Sequence, residues 1–185
     1  MKLTIIGTGY VGLVTGVCLA NSGHHVTCLD IDKKKINNLN KGIMPIYENN
    51  LKSLVETNFK KNRIKFTHNI SQAINYSNII FIAVDTPPKK NGQPDMNQIS
   101  KVAQDIATFM TSEKIIVQKS TVPVGTSDFI IDIIEKTFKK IKKNPIKFTI
   151  ASNPEFLKEG TAIDDFMKPD RIIIGTNNFE HKAIF

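Results

Sequence analysis

Three glycines and an aspartate near the start of the chain have the types and spacing to hold a phosphate and a ribose. Gly7-Thr8-Gly9-Tyr10-Val11-Gly12 is a G-x-G-x-x-G run, and Asp30 follows 18 positions after Gly12. In such a run the first glycine permits a tight turn and the second lets a pyrophosphate approach the backbone. The third lets the next helix pack closely on a sheet. The free N–H groups and positive dipole end of that helix then attract the anion. An acid about 20 residues on holds the adenosine ribose hydroxyls. Its charge repels a 2′-phosphate, and no arginine follows Asp30, so the pattern favours NAD over NADP. A second group of polar residues, Thr86, Ser120, Thr121, Asn153 and Glu155, follows later apolar runs and invites the same attention.

The elements that must position these residues are legible in outline. Residues 2–7 (KLTIIG) and 25–30 (HVTCLD) read as strands, with a helix over 10–21 between them. Asp32 can cap a helix over 33–41 that Gly42 ends. Lys35 falls in its first turn, where a solvated face and a contact near the adenosine are both open. Leu51, Leu54, Val55 and Phe59 share helical spacing, followed by a strand over 64–67 and a short helix over 71–75. Residues 78–84 (NIIFIAV) and 115–119 (IIVQK) are near-continuous apolar runs, the mark of strands covered on both faces. Asp95 or Asn97 caps the helix between them, and another helix carries Ile130, Ile133, Ile134, Phe138 and Ile141. A sixth strand (148–152), a short helix (160–166) and a last strand (172–175) complete the chain. Strands alternating with helices predict an α/β fold, a Rossmann-type doubly wound, mostly parallel sheet. Ligands of such sheets lie beyond the carboxyl ends of the strands, which is where the polar residues above fall.

Composition narrows the function classes. A length of 185 residues with 41% hydrophobic content suits one domain with a real core. The net charge of +8 raises nucleic-acid binding. Its densest cluster, Lys139, Lys140, Lys142 and Lys143, sits at a helix end, where cations suit the dipole, and no aromatic residues interleave to stack bases. The charge is read as surface, able to steer a polyanionic nucleotide, with no nucleic-acid partner. Cys18 and Cys28 fall within the first helix and second strand and read as small core residues in a reduced, cytoplasmic setting. Neither they nor His24, His25, His68 and His181 form a metal-ligand spacing. Glycines interrupt the first apolar run, so it is read as mature structure and not a leader, and no run reaches the ~18 residues of a membrane span.

With its loops placed, the sequence resembles the N-terminal, NAD-binding domain of the UDP-glucose/GDP-mannose dehydrogenase family, UDP-glucose 6-dehydrogenases above all. Four segments carry the resemblance: GTGYVGLVTGVCLA (7–20), the Asp85-Thr86-Pro87 loop, STVPVGT (120–126) and NPEFLKEGTAIDDF (153–166), continued by PDRIIIG (169–175). It implies two hydride transfers from the sugar C6 alcohol to NAD, converting UDP-glucose to UDP-glucuronate. Besides Gly7, Gly9, Tyr10 and Gly12, it implies NAD contacts from Val11, Asp30, Lys35, Thr86, Thr121 and Glu159. Glu155, Phe156, Leu157, Lys158 and Glu159 would line the sugar-nucleotide pocket. Glu155 would act with Thr121 on a water, as general base in hydrolysing a thioester intermediate. Oxidation of GDP-mannose or UDP-N-acetylmannosamine is the alternative within the class, with Pro169-Asp170-Arg171 leaning toward UDP-glucose. A non-catalytic NAD-binding fragment is the alternative outside it.

Two departures from the family pattern stand out. Asn49-Asn50 replaces a common Pro-Gly pair after Pro45-Ile46-Tyr47-Glu48, and Asp85-Thr86-Pro87-Pro88 varies the usual loop. The resemblance also places the family's nucleophilic cysteine, the long central helix of its homodimer and the UDP-holding domain beyond residue 185. The expectation is therefore a truncated chain that binds NAD weakly and does not turn over by itself.

Overall fold

The computed structural model describes residues 1–176; residues 177–185, His181 among them, lie outside the described part. Seven strands form one sheet: β1 (Lys2–Ile6), β2 (His25–Leu29), β3 (Ile64–Thr67), β4 (Ile79–Ile82), β5 (Lys114–Gln118), β6 (Phe148–Ser152) and β7 (Gly175–Thr176). Their order is β3-β2-β1-β4-β5-β6-β7, parallel from β3 to β6 and antiparallel only at β7. The order reverses between β1 and β4, the switch point at which open α/β sheets bind ligands.

Helices cover both faces. One face packs beneath α1 (Tyr10–Asn21), α2 (Lys33–Asn40), α3 (Leu51–Lys60) and α7 (Ala162–Met167), with Ile5, Leu13, Val17 and Val117 fully buried. The other packs beneath α4 (Ile70–Tyr76), α5 (Asn97–Phe109) and α6 (Thr126–Lys140), around Ile80, Ile82, Ile106 and Ile134. β4 and β5 are buried along their whole length. β4 (IIFI) is unbroken apolar, while β5 (KIIVQ) also buries Lys114 and Gln118 at its ends, Lys114 Nζ donating to the Ser77 carbonyl at 2.7 Å. Among the described residues no helix is long and apolar enough to cross a membrane.

Local chemistry explains most boundaries. Asp32 caps α2, its Oδ1 accepting from the Lys34 and Lys35 amides at 2.8 and 3.0 Å. Asn50 takes a left-handed φ of 62° before α3, so the Asn49-Asn50 departure keeps a conformation that asparagine tolerates.

Four expectations need correction. The buried face of α3 runs through Leu51, Val55 and Asn58, while Phe59 is 44% exposed. Asn58 can be buried because its amide donates to the Leu54 carbonyl. Asn97 is the first residue of α5 and not its cap; the Asp95 carboxylate accepts from the Asn97 amide instead. Among the described residues the last strand is Gly175–Thr176, antiparallel to Ser152 and Ala151 of β6, so residues 172–174 of the expected strand lie outside it. The lysines after α6 also do more than favour their own dipole. Lys143 Nζ donates to the Ala107, Thr108 and Met110 carbonyls, capping the C-terminus of α5.

Candidate functional site

The glycine turn leaves β1 with Gly7 at φ 100°, where a Cβ would lie 2.5 Å from the Ala83 carbonyl oxygen. A Cβ on Gly12 would lie 2.0 Å from the Gly7 carbonyl oxygen, so this close approach admits only glycine. Gly16, one turn further, performs the same service against β2: its Cβ would meet Cys28 Sγ at 2.6 Å. α1 is thus set with its N-terminus at the strand ends, the arrangement that receives a phosphate.

Asp30 sits at the end of β2, beside this turn. Its Oδ2 accepts from the Thr8 hydroxyl at 2.6 Å, the Thr8 amide at 2.9 Å and Lys35 Nζ at 2.9 Å, and its Oδ1 accepts from the Asp32 amide at 3.0 Å. Burial pushes the Asp30 carboxyl up, but the Thr8 hydroxyl, the Asp32 amide and Lys35 together hold it below the usual carboxylate range. The acid is therefore fixed in place and ionised. Lys35 reaches Asp30 through this ion pair while its side chain stays 29% exposed. A cavity of about 300 Å³ opens here, lined by Gly7, Gly9, Asp30, Lys35, Asp85 and Lys101 among others. Gly7 and Gly9 line this space with no side chain to fill it, and a fixed carboxylate faces it; both fit a dinucleotide.

Tyr10 is positioned differently from the expectation of a simple cofactor contact. Its hydroxyl hydrogen-bonds Glu48, and the Gly160 amide donates to both the Tyr10 oxygen (2.9 Å) and Glu48 Oε2 (2.8 Å). Burial, then the Glu48 hydrogen bond, pushes the Tyr10 phenol up to about 12. Glu48, only 6% exposed, thereby ties the segment before α3 to the cofactor helix and to the loop before α7. Val11 lies half-buried in the first turn of α1, packed against the core beneath it.

A second cavity, of about 260 Å³, lies past the ends of β5 and β6. Glu155, Phe156, Leu157 and Lys158 line it with Lys119 and Arg171. Glu155 Oε2 accepts from the Leu157 amide at 2.7 Å, which fixes its rotamer. Arg171 lies over the Phe156 ring, 5.0 Å from its centroid. Thr121 and Glu159 are not among the residues lining this cavity. Thr121 is exposed and its carbonyl accepts from the Thr86 hydroxyl at 2.8 Å, which joins the loops after β4 and β5. Glu159 lies near enough to Tyr10 for its charge to act on the phenol.

Lys119 is the residue that the strand pattern alone did not single out. It is 5% exposed, and its Nζ donates to Asn153 Oδ1 at 3.2 Å and lies 5.7 Å from the Phe166 ring centroid. Burial pushes its ammonium below the ordinary lysine range, while the Glu155 charge works against that shift. A lysine closing the apolar run IIVQK was the available signal. Glu48 had a similar one, an acid inside the half-apolar IMPIYENN.

Comparison with known proteins agrees with this geometry. Residues 1–185 match the model of the UDP-glucose/GDP-mannose dehydrogenase family, NAD binding domain. The chain is 47% identical over 176 residues to UDP-glucose 6-dehydrogenase YwqF of Bacillus subtilis (strain 168), covering 95% of this chain and 39% of that protein. The structure of a UDP-glucose dehydrogenase from Pyrobaculum islandicum superposes with a TM-score of 0.92 at 33% identity, over 99% of this chain and 42% of the other. GDP-mannose dehydrogenase from Pseudomonas aeruginosa gives the same TM-score at 34% identity, over 100% and 43%. The chain thus spans about two fifths of the length of these relatives. With a complete glycine turn, a fixed Asp30 and these matches, the chain belongs to the UDP-glucose/GDP-mannose dehydrogenase family, as its NAD-binding domain.

Proposed function

We propose that residues 1–185 supply the NAD-binding part of a UDP-glucose 6-dehydrogenase, which oxidises the C6 alcohol of UDP-glucose to the carboxylate of UDP-glucuronate. The observation that carries this reading is the pairing of two cavities along one set of strand ends. One holds the ionised Asp30 beside the glycine turn; the other holds Glu155 with the buried ammonium of Lys119. NAD, when bound, accepts the hydrides. Asp30 and Thr8 hold the adenosine ribose, and the glycine turn holds the diphosphate. Thr86, Thr121, Lys35, Val11 and Glu159 complete the NAD contacts. Glu155 to Lys158 line the sugar-nucleotide pocket, with Glu159 at its edge. The Glu155 carboxylate takes a proton from water with Thr121, from the loop after β5, as its partner. The nucleophilic cysteine, the dimer's central helix and the UDP-holding domain come from sequence outside these residues. By itself the chain binds NAD and does not turn over, because a reaction needs all its groups within reach.

GDP-mannose is the second reading, supported by the equal structural likeness to the Pseudomonas aeruginosa enzyme. The sequence identity to YwqF favours UDP-glucose. The discriminating experiment supplies each nucleotide sugar to the protein extended through the cysteine segment and follows NADH formation. Turnover of GDP-mannose in preference to UDP-glucose reverses the assignment. In that extended protein, Glu155→Gln is expected to leave NAD affinity within about twofold and slow acid release by about 10²-fold or more. Unchanged release would remove Glu155 from the base role.

A further inference from the structure

Asp85 differs from every other acid around the dinucleotide cavity. It is exposed, it follows β4 at the switch point, and among the described residues no hydrogen bond or ion pair reaches its carboxylate. That carboxylate stands in the space left by the missing side chain of Gly9. Its Oδ1 and Oδ2 lie 3.3 and 3.9 Å from where a Cβ on Gly9 would be. In a G-x-G-x-x-G turn this is the space into which a pyrophosphate moves. The other charges nearby are balanced. Lys35 is paired with Asp30 at 2.9 Å and Lys101 with Asp105 at 2.8 Å, and all four line the cavity. One uncompensated negative charge therefore stands beside the N-terminus of α1, which favours anions.

We propose that Asp85 sets the affinity of the NAD site, its carboxylate acting as a resident substitute for the dinucleotide's phosphates at the glycine turn. It must swing aside before a diphosphate enters, and it repels that diphosphate from the rim afterwards. The ligands weakened are those of one chemical class, nucleotides carrying a diphosphate; adenosine, which lacks phosphate, is not weakened. The inference rests on dinucleotide binding at this turn. Since the side chain has no partner to lose, Asp85→Asn and Asp85→Ser both keep the fold.

The test titrates the chain and both variants with NAD by calorimetry at about 20 mM and about 500 mM salt, and with adenosine by chemical-shift changes. At low salt the variants are expected to bind NAD about three- to tenfold more tightly. The gap should shrink at high salt, where surface charges more than about 4 Å apart are largely screened. Adenosine should bind all three chains equally. Equal NAD affinity at low salt, or weaker binding by the variants, overturns the proposal. A gap that persists at high salt assigns the effect to loop shape and overturns it too. If none of the three chains binds NAD, the dinucleotide reading itself fails, an outcome distinct from equal binding.

Discussion

Asp30 shows how a single side chain links cofactor choice to stability. Four protein donors reach its two oxygens, so its folded carboxyl titrates below the ordinary value of 3.8. A depressed acid contributes stability that is present above its unfolded pKa and is lost as pH falls through the folded one. Asp30→Asn should therefore cost about 1–2 kcal/mol at pH 7, a charge-assisted acceptor having been removed. The deficit should close as the pH drops below about 4, since the wild-type carboxyl then loses its charge. Thermal melts of both chains across that range check this; a deficit independent of pH would mean the carboxylate's charge is not what stabilises. The same charge predicts NAD binding at least about tenfold tighter than NADP, and equal or tighter NADP binding in a titration would contradict it. At this scale much was legible, because the glycine run and Asp30 act through local spacing. The pairing of Lys35 with Asp30 was half-legible, one side chain having two plausible surroundings. The burial of Lys119 was not, since nothing in IIVQK says which neighbour covers its last residue.

At the scale of elements, α1 and β2 meet through the absence of atoms. Gly16 faces Cys28 Sγ at a distance that leaves no room for a methyl group. Gly16→Ala should cost about 1–3 kcal/mol by overpacking. Adding Cys28→Ala removes the obstructing sulfur, so the double variant should be less destabilised than the sum of the two single ones. Urea denaturation of the four chains gives the coupling directly, and strict additivity would show that the clash is relieved elsewhere. Gly12→Ala has no such remedy, because its obstacle is the Gly7 backbone. Helix and strand existence followed from apolar runs and spacing, which is why β4 and β5 were anticipated. The start of β7 at Gly175 coincides instead with the last residue of β6, Ser152, a property of another segment. Lys143 likewise spends its charge on α5, one helix away from its own.

For the whole molecule, the two cysteines report on opening. Both are fully buried, and burial pushes each thiol up to about 12, aided at Cys18 by the charge of Glu48. Thiolate is the reactive form, so neither is a nucleophile in the folded chain. Alkylation at pH 8 should proceed only as fast as the structure unfolds and should slow with added NAD, which binds the folded state. Rapid labelling of either thiol without denaturant would contradict this burial. The alternation of strands and helices made the sheet legible as a whole, while the ties between distant loops were not, being invisible to any local pattern. The Tyr10, Glu48 and Gly160 triad is the clearest of these, joining positions up to 150 residues apart. It has a consequence for exchange of parts between related enzymes. A chimera that imports a new loop around Gly160 without the matching Glu48 segment leaves a buried carboxylate short of a donor. Crossovers should therefore carry both segments together, or neither.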